Sequence, residues 1–298
     1  MAKERINKCI ELLEQGENLY YTGTGPLTYE NGKKQAKTWA DSLVADFEHN
    51  PFDLVGLQAF MQGLVDGGPT NSGHRTPTVI ATLPSNCRTL QEVRANAWQV
   101  RHVLSTGVHG ILHTHARQAD AVRAFVEECR YPFQTIGLNR GLVQGQRGAG
   151  GQGYAAGIWG VTGPEYTKLA DPWPLNPEGE LMLGLKIEDR ESAANAEYIA
   201  KVPGLAFAEW GPGDMGMSFG YADAHDPPYP TDMDQARTAV KNACDDNGMV
   251  FLSSWNDPSL DAEGRLRFLM DWGVRIISGG GEEQAKRGRE ITGRQMPV

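Results

Sequence analysis

The stretch that decides the fold is "LMLGLKIEDRESAANAEYIAKVPGLAFAEWGPGD", residues 181–214. Its first part, 181–189, is a short apolar run that ends in polar residues, which is typical of a buried strand. An amphipathic helical pattern follows over 192–204, and a second apolar run begins at residue 205. A strand, a helix and a second strand in this order predict a βαβ unit, in which the two strands are parallel.

The same alternation recurs on both sides of this unit. Amphipathic runs of about 10–15 residues separate the apolar runs, and about eight such units span the chain. The predicted strands are 19–23, 43–48, 76–84, 108–116, 181–189, 205–214, 249–257 and 274–281. No GxGxxG fingerprint follows a first strand, which disfavours a nucleotide-binding doubly wound sheet. The pattern therefore predicts an α/β fold, a (β/α)8 TIM barrel, as a single domain over residues 1–298.

Two segments lie outside the alternation. Residues 1–18 predict an amphipathic N-terminal helix without the apolar core of a secretory signal. Residues 138–180, rich in Gly and Pro, predict a long loop over the barrel mouth. The aromatic residues of this loop could enclose an aromatic or bulky group of a substrate, or could simply pack within the loop. They are Tyr154, Trp159, Tyr166 and Trp173.

Composition excludes several classes of partner. Hydrophobic residues make up 40% of the 298 residues and charged residues 22%, as in ordinary globular proteins. The formal net charge of −9 and the lack of a Lys/Arg stripe disfavour nucleic acid. No apolar run reaches the about 18 residues needed to cross a membrane. The four cysteines are scattered without CxxC spacing, which favours a reducing compartment. We therefore expect a cytoplasmic protein that acts on a small molecule.

A barrel places its catalytic groups where the strands end and the βα loops begin. Polar residues end several of the predicted strands, and these are the candidates for function: Asp46, Glu48 and His49; His113 and His115; Glu188 and Asp189; Asp214; Asn256 and Asp257. Glu188 and Asp214 come from neighbouring strand ends, and a hard divalent cation such as Mg²⁺ or Mn²⁺ prefers such carboxylates. The alternative is that each carboxylate caps the helix that follows it.

Four motifs in order resemble those of the HpcH/HpaI aldolases from about residue 40 to the C-terminus. They are "ADFEHNPFDLVGLQAFM" at 45–61, "RGAGGQGYAAGIWG" at 147–160, "LGLKIED" at 183–189 and "VPGLAFAEWGPGDMGMSFG" at 202–220. These aldolases are metal-dependent class II lyases of 4-hydroxy-2-oxo acids, a group that includes macrophomate synthase. The family fold is a (β/α)8 barrel whose final helix packs on a neighbouring subunit. The resemblance therefore implies a homo-oligomer, either a dimer or a hexamer built as a trimer of dimers.

The resemblance also implies roles for individual residues. Glu188 and Asp214 correspond to the metal ligands, for Mg²⁺, Mn²⁺ or Co²⁺. Gly213 and Asp214 would offer backbone N–H groups to a substrate carboxylate. His49, oriented by Asp46, corresponds to the acid–base histidine. Glu48 either tunes His49 or hydrogen-bonds water, or it is a simple loop acid.

The chain departs from the family pattern at two strands. Where relatives carry an Arg that binds the keto oxygen, this sequence has Ala81 or Thr82, and their Gln before the metal ligand is Lys186 here. Lys186 shares strand parity with Glu188, so it is predicted to face the barrel interior. It could replace the missing cation, bind a carboxylate or phenolate, or form a Schiff base, which a neighbouring metal site disfavours.

The second departure is "ILHTHAR", residues 111–117. His113 and His115 are two residues apart on a strand and are predicted to share one face. If that face is inward, they could be extra metal ligands, a second acid–base pair or partners of a phenolic hydroxyl. A lone strand histidine is usually structural, but two at a strand end favour a function.

These residues predict a carbon–carbon lyase that cleaves a β-hydroxy compound by a retro-aldol step and releases a small aldehyde. One variant keeps the fold and removes formaldehyde from an aromatic compound that bears a hydroxymethyl group. A metal-dependent decarboxylase is a further alternative, because it also forms an enolate. The rival from another class is a non-catalytic binding barrel, against which the retained carboxylates argue.

Overall fold

A computed structural model describes residues 5–298, and its strands run parallel around a closed barrel. They are β1 (Leu19–Gly23), β2 (Ser42–Ala45), β3 (Thr78–Asn86), β4 (Gly110–Thr114), β5 (Pro172–Trp173), β6 (Leu181–Lys186), β7 (Phe207–Glu209), β8 (Val250–Ser253) and β9 (Ile276–Ile277). The barrel order is β1–β2–β3–β4–β6–β7–β8–β9, and β9 pairs back to β1. The two residues of β5 pair with the beginning of β6. The predicted (β/α)8 TIM barrel is confirmed.

Helices alternate with these strands and cover the outside of the barrel. They are α1 (Lys8–Glu14), α2 (Tyr29–Gln35), α3 (Leu54–Asp66), α4 (Leu90–Ser105), α5 (Ala119–Cys129), α6 (Gln152–Trp159), α7 (Gly163–Leu169), α8 (Arg190–Ala194), α9 (Ala196–Ala200), α10 (Pro212–Phe219), α11 (Thr231–Asp246), α12 (Ala262–Asp271) and α13 (Gly281–Thr292). None of the helices in residues 5–298 is both long enough and apolar enough to cross a membrane.

Side chains alternate between the barrel interior and the helix layer, as the two-residue period of a strand requires. The interior holds one apolar residue from most strands: Leu19, Ile80, Leu112, Met182, Phe207, Leu252 and Ile276. Cys9, Ile10 and Leu12 of α1 join the same cluster, so α1 closes the amino-terminal end of the barrel. This helix is the described part of the predicted segment 1–18, whose residues 1–4 lie outside the described residues.

The segment 138–180 is not the predicted loop over the barrel mouth. It contains α6, α7 and β5, and it runs toward the amino-terminal end of the barrel. Trp159 stacks on His109, just before β4, with ring centroids 5.7 Å apart. Trp173 donates a hydrogen bond to Glu14 of α1, at 3.2 Å. Burial of Trp159 and partial burial of Trp173 favour this path over an open loop, because they remove apolar area from water.

A buried ion-pair network ties the C-terminal residues to the amino-terminal end of the barrel. Asp41 is 0% exposed and accepts two hydrogen bonds from Arg294, both at 2.7 Å, and one from Arg289 at 3.2 Å. Nζ of Lys8 lies 3.3 Å from Oδ1 of Asp41. Burial raises the pKa of Asp41, but the hydrogen bonds and charge of Arg294, with Lys8 and Arg289, outweigh burial and lower the pKa. Asp41 is therefore ionised at neutral pH.

Helix α13 packs on the barrel of its own chain. Gly288 lies against the ring of Tyr20, where a Cβ atom would overlap the phenolic oxygen. Arg289 reaches from the same helix to Asp41. The packing of this helix on a neighbouring subunit stays a prediction, as does the homo-oligomer.

We predict that Asp41→Asn lowers the free energy of unfolding by about 3–5 kcal/mol, because it leaves buried cations without their counter-ion. Urea denaturation at neutral pH measures this loss. Asp246→Asn, on the exposed surface of α11, is the matched control and should change stability by less than about 0.5 kcal/mol.

The same carboxylate gives the effect a pH dependence. Because the folded-state pKa of Asp41 lies below the ordinary value of 3.8, the ionised group stabilises the fold above that pH. This contribution is lost as the pH falls through the folded-state pKa. The difference in stability between the wild type and Asp41→Asn should therefore shrink in acid, and a difference that stays constant would contradict the assignment.

Candidate active site and metal centre

The loop after β2 is held by a hydroxyl group on the neighbouring strand. Oγ1 of Thr82, in β3, donates to Oδ1 of Asp46 at 2.9 Å. The same oxygen accepts from the backbone N–H groups of Phe47, at 2.7 Å, and Glu48, at 3.0 Å. Oδ1 of Asp46 also accepts from the N–H of Glu48 at 3.0 Å. Thr82 is thus fully used in fixing the loop, and it does not take the place of the family arginine.

His49 lies at the rim of the mouth, in the same loop. Its side chain is 60% exposed, and its Nε2 lies 3.5 Å from Oε2 of Glu48. The contact between Asp46 and His49 runs through the backbone, where the N–H of His49 donates to Oδ1 at 3.4 Å. Asp46 therefore orients the loop, and the carboxylate that contacts the imidazole is Glu48. This contact favours the tuning role of Glu48 over that of a simple loop acid.

Lys186, at the end of β6, points into the barrel mouth. Its Nζ forms a short ion pair with Oε2 of Glu48. The same nitrogen lies 3.9 Å from Oε1 of Glu188. The side chain of Lys186 is 12% exposed, so its ammonium group stays within reach of the open mouth. The strand parity of Lys186 and Glu188 therefore places both side chains on the inner side, as the sequence predicted.

Glu188 is buried without a hydrogen bond. It is 1% exposed, and neither carboxylate oxygen has a hydrogen-bond partner among residues 5–298. Gly211 makes this position possible, because a Cβ atom at residue 211 would overlap Oε2 of Glu188. The next residue, Asp189, caps α8 by accepting a hydrogen bond from the N–H of Ser192 at 2.9 Å. The capping alternative thus applies to Asp189 and not to Glu188.

His115 enters the site through a backbone turn. It directly follows β4 with a φ of 48°, the one positive φ of a non-glycine residue in residues 5–298. Its Nε2 lies 3.3 Å from Oε1 of Glu48, and its Nδ1 lies 3.8 Å from Oε1 of Glu188. Ala116 fixes the turn by donating its N–H to the carbonyl of Lys186 at 3.0 Å. A left-handed conformation costs about 1–3 kcal/mol in a non-glycine residue and is concentrated at functional sites.

His113 lies elsewhere. It is 1% exposed, and its ring packs edge-on against Phe125 of α5, with centroids 4.8 Å apart. Burial lowers the pKa of His113 to about 3, so its imidazole is neutral. The predicted shared face of the two histidines does not form, because the strand ends at Thr114 and the positive φ of His115 redirects the chain. His113 belongs to the helix layer and not to the site.

Helix α10 begins at the mouth and presents Gly213 and Asp214 in its first turn. Asp214 lies close to Glu48 and His49, since one potential ligand atom from each of the three lies within 4.8 Å of the others. The N–H groups at a helix start suit a carboxylate ligand. His225 was not predicted from the sequence, yet a Cβ atom at Gly213 would lie 3.1 Å from Nδ1 of His225. A single histidine in an irregular loop gives no periodic signal.

Two further groups at the floor of the mouth were missed. Glu209 ends β7 and stands in register with Lys186 on the adjacent strand. Tyr21 projects from β1 and packs against the interior cluster, and burial together with the charge of Glu209 raises its pKa. The signal for Glu209 was present, because it lies two residues after Phe207, whose side chain fills the barrel interior.

The charged side chains of the mouth shift one another's pKa values. Burial raises the pKa of Glu188 well above its ordinary value; Lys186 opposes this, while Glu209, Glu48 and Asp214 add to it. Burial also raises the pKa of Glu48, but the contact with His115 and the charge of Lys186 outweigh it and lower that pKa to about 2. Burial and the neighbouring carboxylates therefore disfavour the ionised form of Glu188, which a bound cation would favour.

The same coupling decides the state of Lys186. Burial lowers the pKa of Lys186, but the charges of Glu209, Glu188 and Glu48 outweigh burial and raise it. Lys186 is consequently a charged ammonium group at neutral pH. A Schiff-base nucleophile must be a neutral amine, so this role does not fit.

Two groups of side chains in the described part of the chain could hold a cation. One is Glu48, His49 and Asp214, and the other is Glu48, His115 and Glu188. The predicted ligands Glu188 and Asp214 thus fall in different groups, and Glu48 belongs to both. Carboxylate oxygens and imidazole nitrogens suit Mg²⁺, Mn²⁺ or Co²⁺. The unpartnered oxygens of Glu188 fit a cation, which would supply the missing contacts.

A sequence profile of the HpcH/HpaI aldolase/citrate lyase family matches residues 90–281, and the chain belongs to this family. The matched region contains His115, Lys186, Glu188 and Asp214, whereas the loop of Asp46 to His49 precedes it. The predicted family, which is one of aldolases and lyases, is confirmed.

Individual relatives are distant. A hydroxypyruvate/pyruvate aldolase of Paraburkholderia phytofirmans (strain DSM 17436 / LMG 22146 / PsJN) is 24% identical over 181 residues, which are 61% of this chain and 58% of that protein. The chain thus matches less than two thirds of the length of this relative. A family protein of Burkholderia cenocepacia J2315 superposes with a TM-score of 0.69 at 18% identity, covering 96% of this chain and 98% of that chain. Macrophomate synthase superposes with a TM-score of 0.65 at 20% identity, covering 97% and 88%. At these identities, the superpositions establish the fold.

We predict that Thr82→Val loosens the loop that carries Glu48 and His49. Valine keeps the shape of threonine but leaves the N–H of Phe47 without its acceptor, and it removes one of the two acceptors of the Glu48 N–H and the hydroxyl that donates to Asp46. The expected loss is about 1–3 kcal/mol in the free energy of unfolding. Thr82→Ser keeps the hydroxyl and is the matched control. Equal losses in the two variants, measured by urea denaturation, would show that the methyl group and not the hydroxyl matters.

Proposed function

We propose that the protein is a divalent-metal-dependent carbon–carbon lyase that cleaves a 4-hydroxy-2-oxo acid by a retro-aldol step and releases a small aldehyde. The observation that carries the proposal is the buried, unpartnered carboxylate of Glu188 beside Glu48 and His115. A buried carboxylate without hydrogen bonds is costly unless a cation binds it. Membership of an aldolase and lyase family supports the class of reaction.

Glu188 and Asp214, with Glu48 between them, would hold Mg²⁺, Mn²⁺ or Co²⁺. A bound cation supplies a Lewis acid that stabilises the negative charge developing on a substrate oxygen. The N–H groups of Gly213 and Asp214, in the first turn of α10, would bind the substrate carboxylate. The site thus has both carboxylates for a cation and N–H groups for a substrate carboxylate, which argues against a non-catalytic barrel.

His49 is the proposed acid–base group. It lies at the open rim, where it can accept the proton of the substrate 4-hydroxyl as the bond between C3 and C4 breaks and the carbonyl of the aldehyde forms. The electron pair of the broken bond becomes the enolate of the 2-oxo acid, and the imidazolium can return the proton to C3. Glu48, 3.5 Å from Nε2, stabilises the resulting imidazolium. The low pKa of Glu48, about 2, keeps this carboxylate charged during the reaction.

The 4-hydroxy-2-oxo acid is preferred over an aromatic hydroxymethyl compound for a specific reason. The aromatic alternative drew on Lys186 and the pair of His113 and His115 as partners of a phenolate, and on rings of the segment 138–180 to enclose the substrate. Trp159 and Tyr166 are instead buried against each other, with ring centroids 4.7 Å apart, and the segment packs toward the other end of the barrel. Those rings therefore give no support to an aromatic substrate.

Exhaustive chelation tests the metal requirement. We expect turnover of 4-hydroxy-2-oxo acids to be lost and to return with Mg²⁺, Mn²⁺ or Co²⁺. Full activity after chelation would refute the metal role. A parallel assay of formaldehyde release from hydroxymethyl phenols separates the substrate classes, since turnover of these compounds alone would overturn the keto-acid assignment.

Glu188→Gln tests the central carboxylate. The change keeps the shape and removes the charge, so we expect Mn²⁺ binding to be lost in calorimetry. Turnover should fall by more than the about 10–100-fold that loss of an outer-shell partner of a metal ligand costs. Glu197→Gln, on an exposed helix surface, is the matched control and should retain both properties. Unchanged Mn²⁺ affinity in Glu188→Gln would remove this residue from the metal site.

His49→Asn tests the proton-transfer step. Exchange of the methyl protons of pyruvate in D₂O reports on enolisation without the aldehyde partner. We expect this exchange, followed by NMR, to slow by about 10²–10⁴-fold, the usual contribution of a general base. His102→Asn, on the exposed surface of α4, should exchange at the wild-type rate. Wild-type exchange in His49→Asn would assign the base to another residue.

A further inference from the structure

An ammonium group lies in the same pocket that would bind the cation. Nζ of Lys186 is in contact with Oε2 of Glu48 and lies 3.9 Å from Oε1 of Glu188. Glu48 belongs to both groups of residues that could hold a cation. Lys186 and a divalent cation therefore need the same carboxylate groups.

We propose that Lys186 is a tethered counter-ion that competes with the divalent cation for Glu48 and Glu188, so that the cation binds fully only as Lys186 leaves Glu48. The proposal rests on the metal-dependent lyase proposed above and adds a control of its metal site. It concerns a residue in which this chain departs from the glutamine implied by the family resemblance.

Charge is the first argument for this competition. Glu188 has no hydrogen-bond partner within residues 5–298, so the positive charge that lies nearby, on Lys186, compensates its burial. A divalent cation at the same carboxylates would be repelled by the ammonium group. Both ions cannot neutralise Glu48 at once, and the binding of one must weaken that of the other.

The second argument is geometric, because Glu209 offers Lys186 a second carboxylate with which to pair. Glu209 stands in register with Lys186 on the neighbouring strand, and its charge acts on the ammonium group. The lysine side chain has a flexible four-carbon stem, so Nζ can move from Glu48 to Glu209 while its backbone stays in the barrel. Such a move keeps the ammonium paired and frees Glu48 for the cation.

The test is a calorimetric titration of chelator-treated protein with Mn²⁺. We expect Lys186→Gln, which removes the charge and keeps a polar side chain, to bind Mn²⁺ about tenfold more tightly than the wild type, within the usual range of coupling between two bound species. Lys186→Arg keeps a positive charge and should not show the gain. Lys201→Gln, an exposed lysine paired with Glu197, controls for the loss of one positive charge elsewhere.

A double-mutant cycle locates the competition. Glu48→Gln removes the shared carboxylate, so adding Lys186→Gln to it should give a smaller gain in Mn²⁺ affinity than Lys186→Gln gives alone. Thermal unfolding of each variant verifies the fold, and Lys186→Met serves as a second variant if Lys186→Gln does not fold.

The outcomes separate this proposal from the function itself. If neither the wild type nor the variants bind Mn²⁺, the metal-dependent function fails and the competition fails with it. If the wild type binds Mn²⁺ and the charge-removing variants bind it equally well or more weakly, the competition alone is overturned. Tighter binding in Lys186→Gln, together with the smaller gain in the Glu48→Gln background, supports it.

Discussion

The burial of Glu188 without a hydrogen bond is the constraint around which this site is arranged. A carboxylate that is 1% exposed and has no partner in residues 5–298 is unfavourable unless positive charge lies close to it. The closed barrel brings that charge near, because β4 and β7 flank β6 and their ends meet at one rim. Lys186, His115 and a bound cation would each lower the cost of burying Glu188. Glu48 links these groups, since it contacts both Lys186 and His115.

The barrel and the inner face of β6 could be predicted from the sequence because both depend on local periodicity. Alternating strands and helices gave the fold, and a period of two placed Lys186 and Glu188 on one side. The contact between Lys186 and Glu48 spans 138 residues of sequence, and no local pattern encodes it. His115 was expected to share a face with His113, but a positive φ ended the period one residue after the strand. Local composition also gave a wrong prediction for the segment 138–180. The packing of aromatic rings, and not the content of Gly and Pro, determines the path of the chain there.

Thr82 and Lys186 are two positions at which this chain departs from the family pattern, and both act on the loop of Glu48 and His49. Family resemblance implies an arginine near the end of β3, where a guanidinium group would reach into the mouth. Here, the Thr82 hydroxyl instead binds Asp46 and two backbone N–H groups of the next loop. This bonding stiffens the loop of Glu48 and His49, but it removes a cation from the mouth. Lys186 brings an ammonium group to the mouth from β6, which β4 separates from β3, and the ion pair with Glu48 ties it to the loop that Thr82 fixes.

The two ends of the barrel use buried carboxylates in opposite ways. At the amino-terminal end, Asp41 receives hydrogen bonds from Arg289 and Arg294, so its charge is satisfied within the chain and adds to stability. At the carboxyl end, Glu188 has no such bonds within residues 5–298, so its oxygens remain available to a ligand. A site that satisfied Glu188 as completely as Asp41 is satisfied would be more stable and would have no free oxygen for a cation. The stability that the Asp41 network contributes can therefore offset the cost of the unpartnered Glu188. The two do not interfere, because they lie at opposite ends of the same strands.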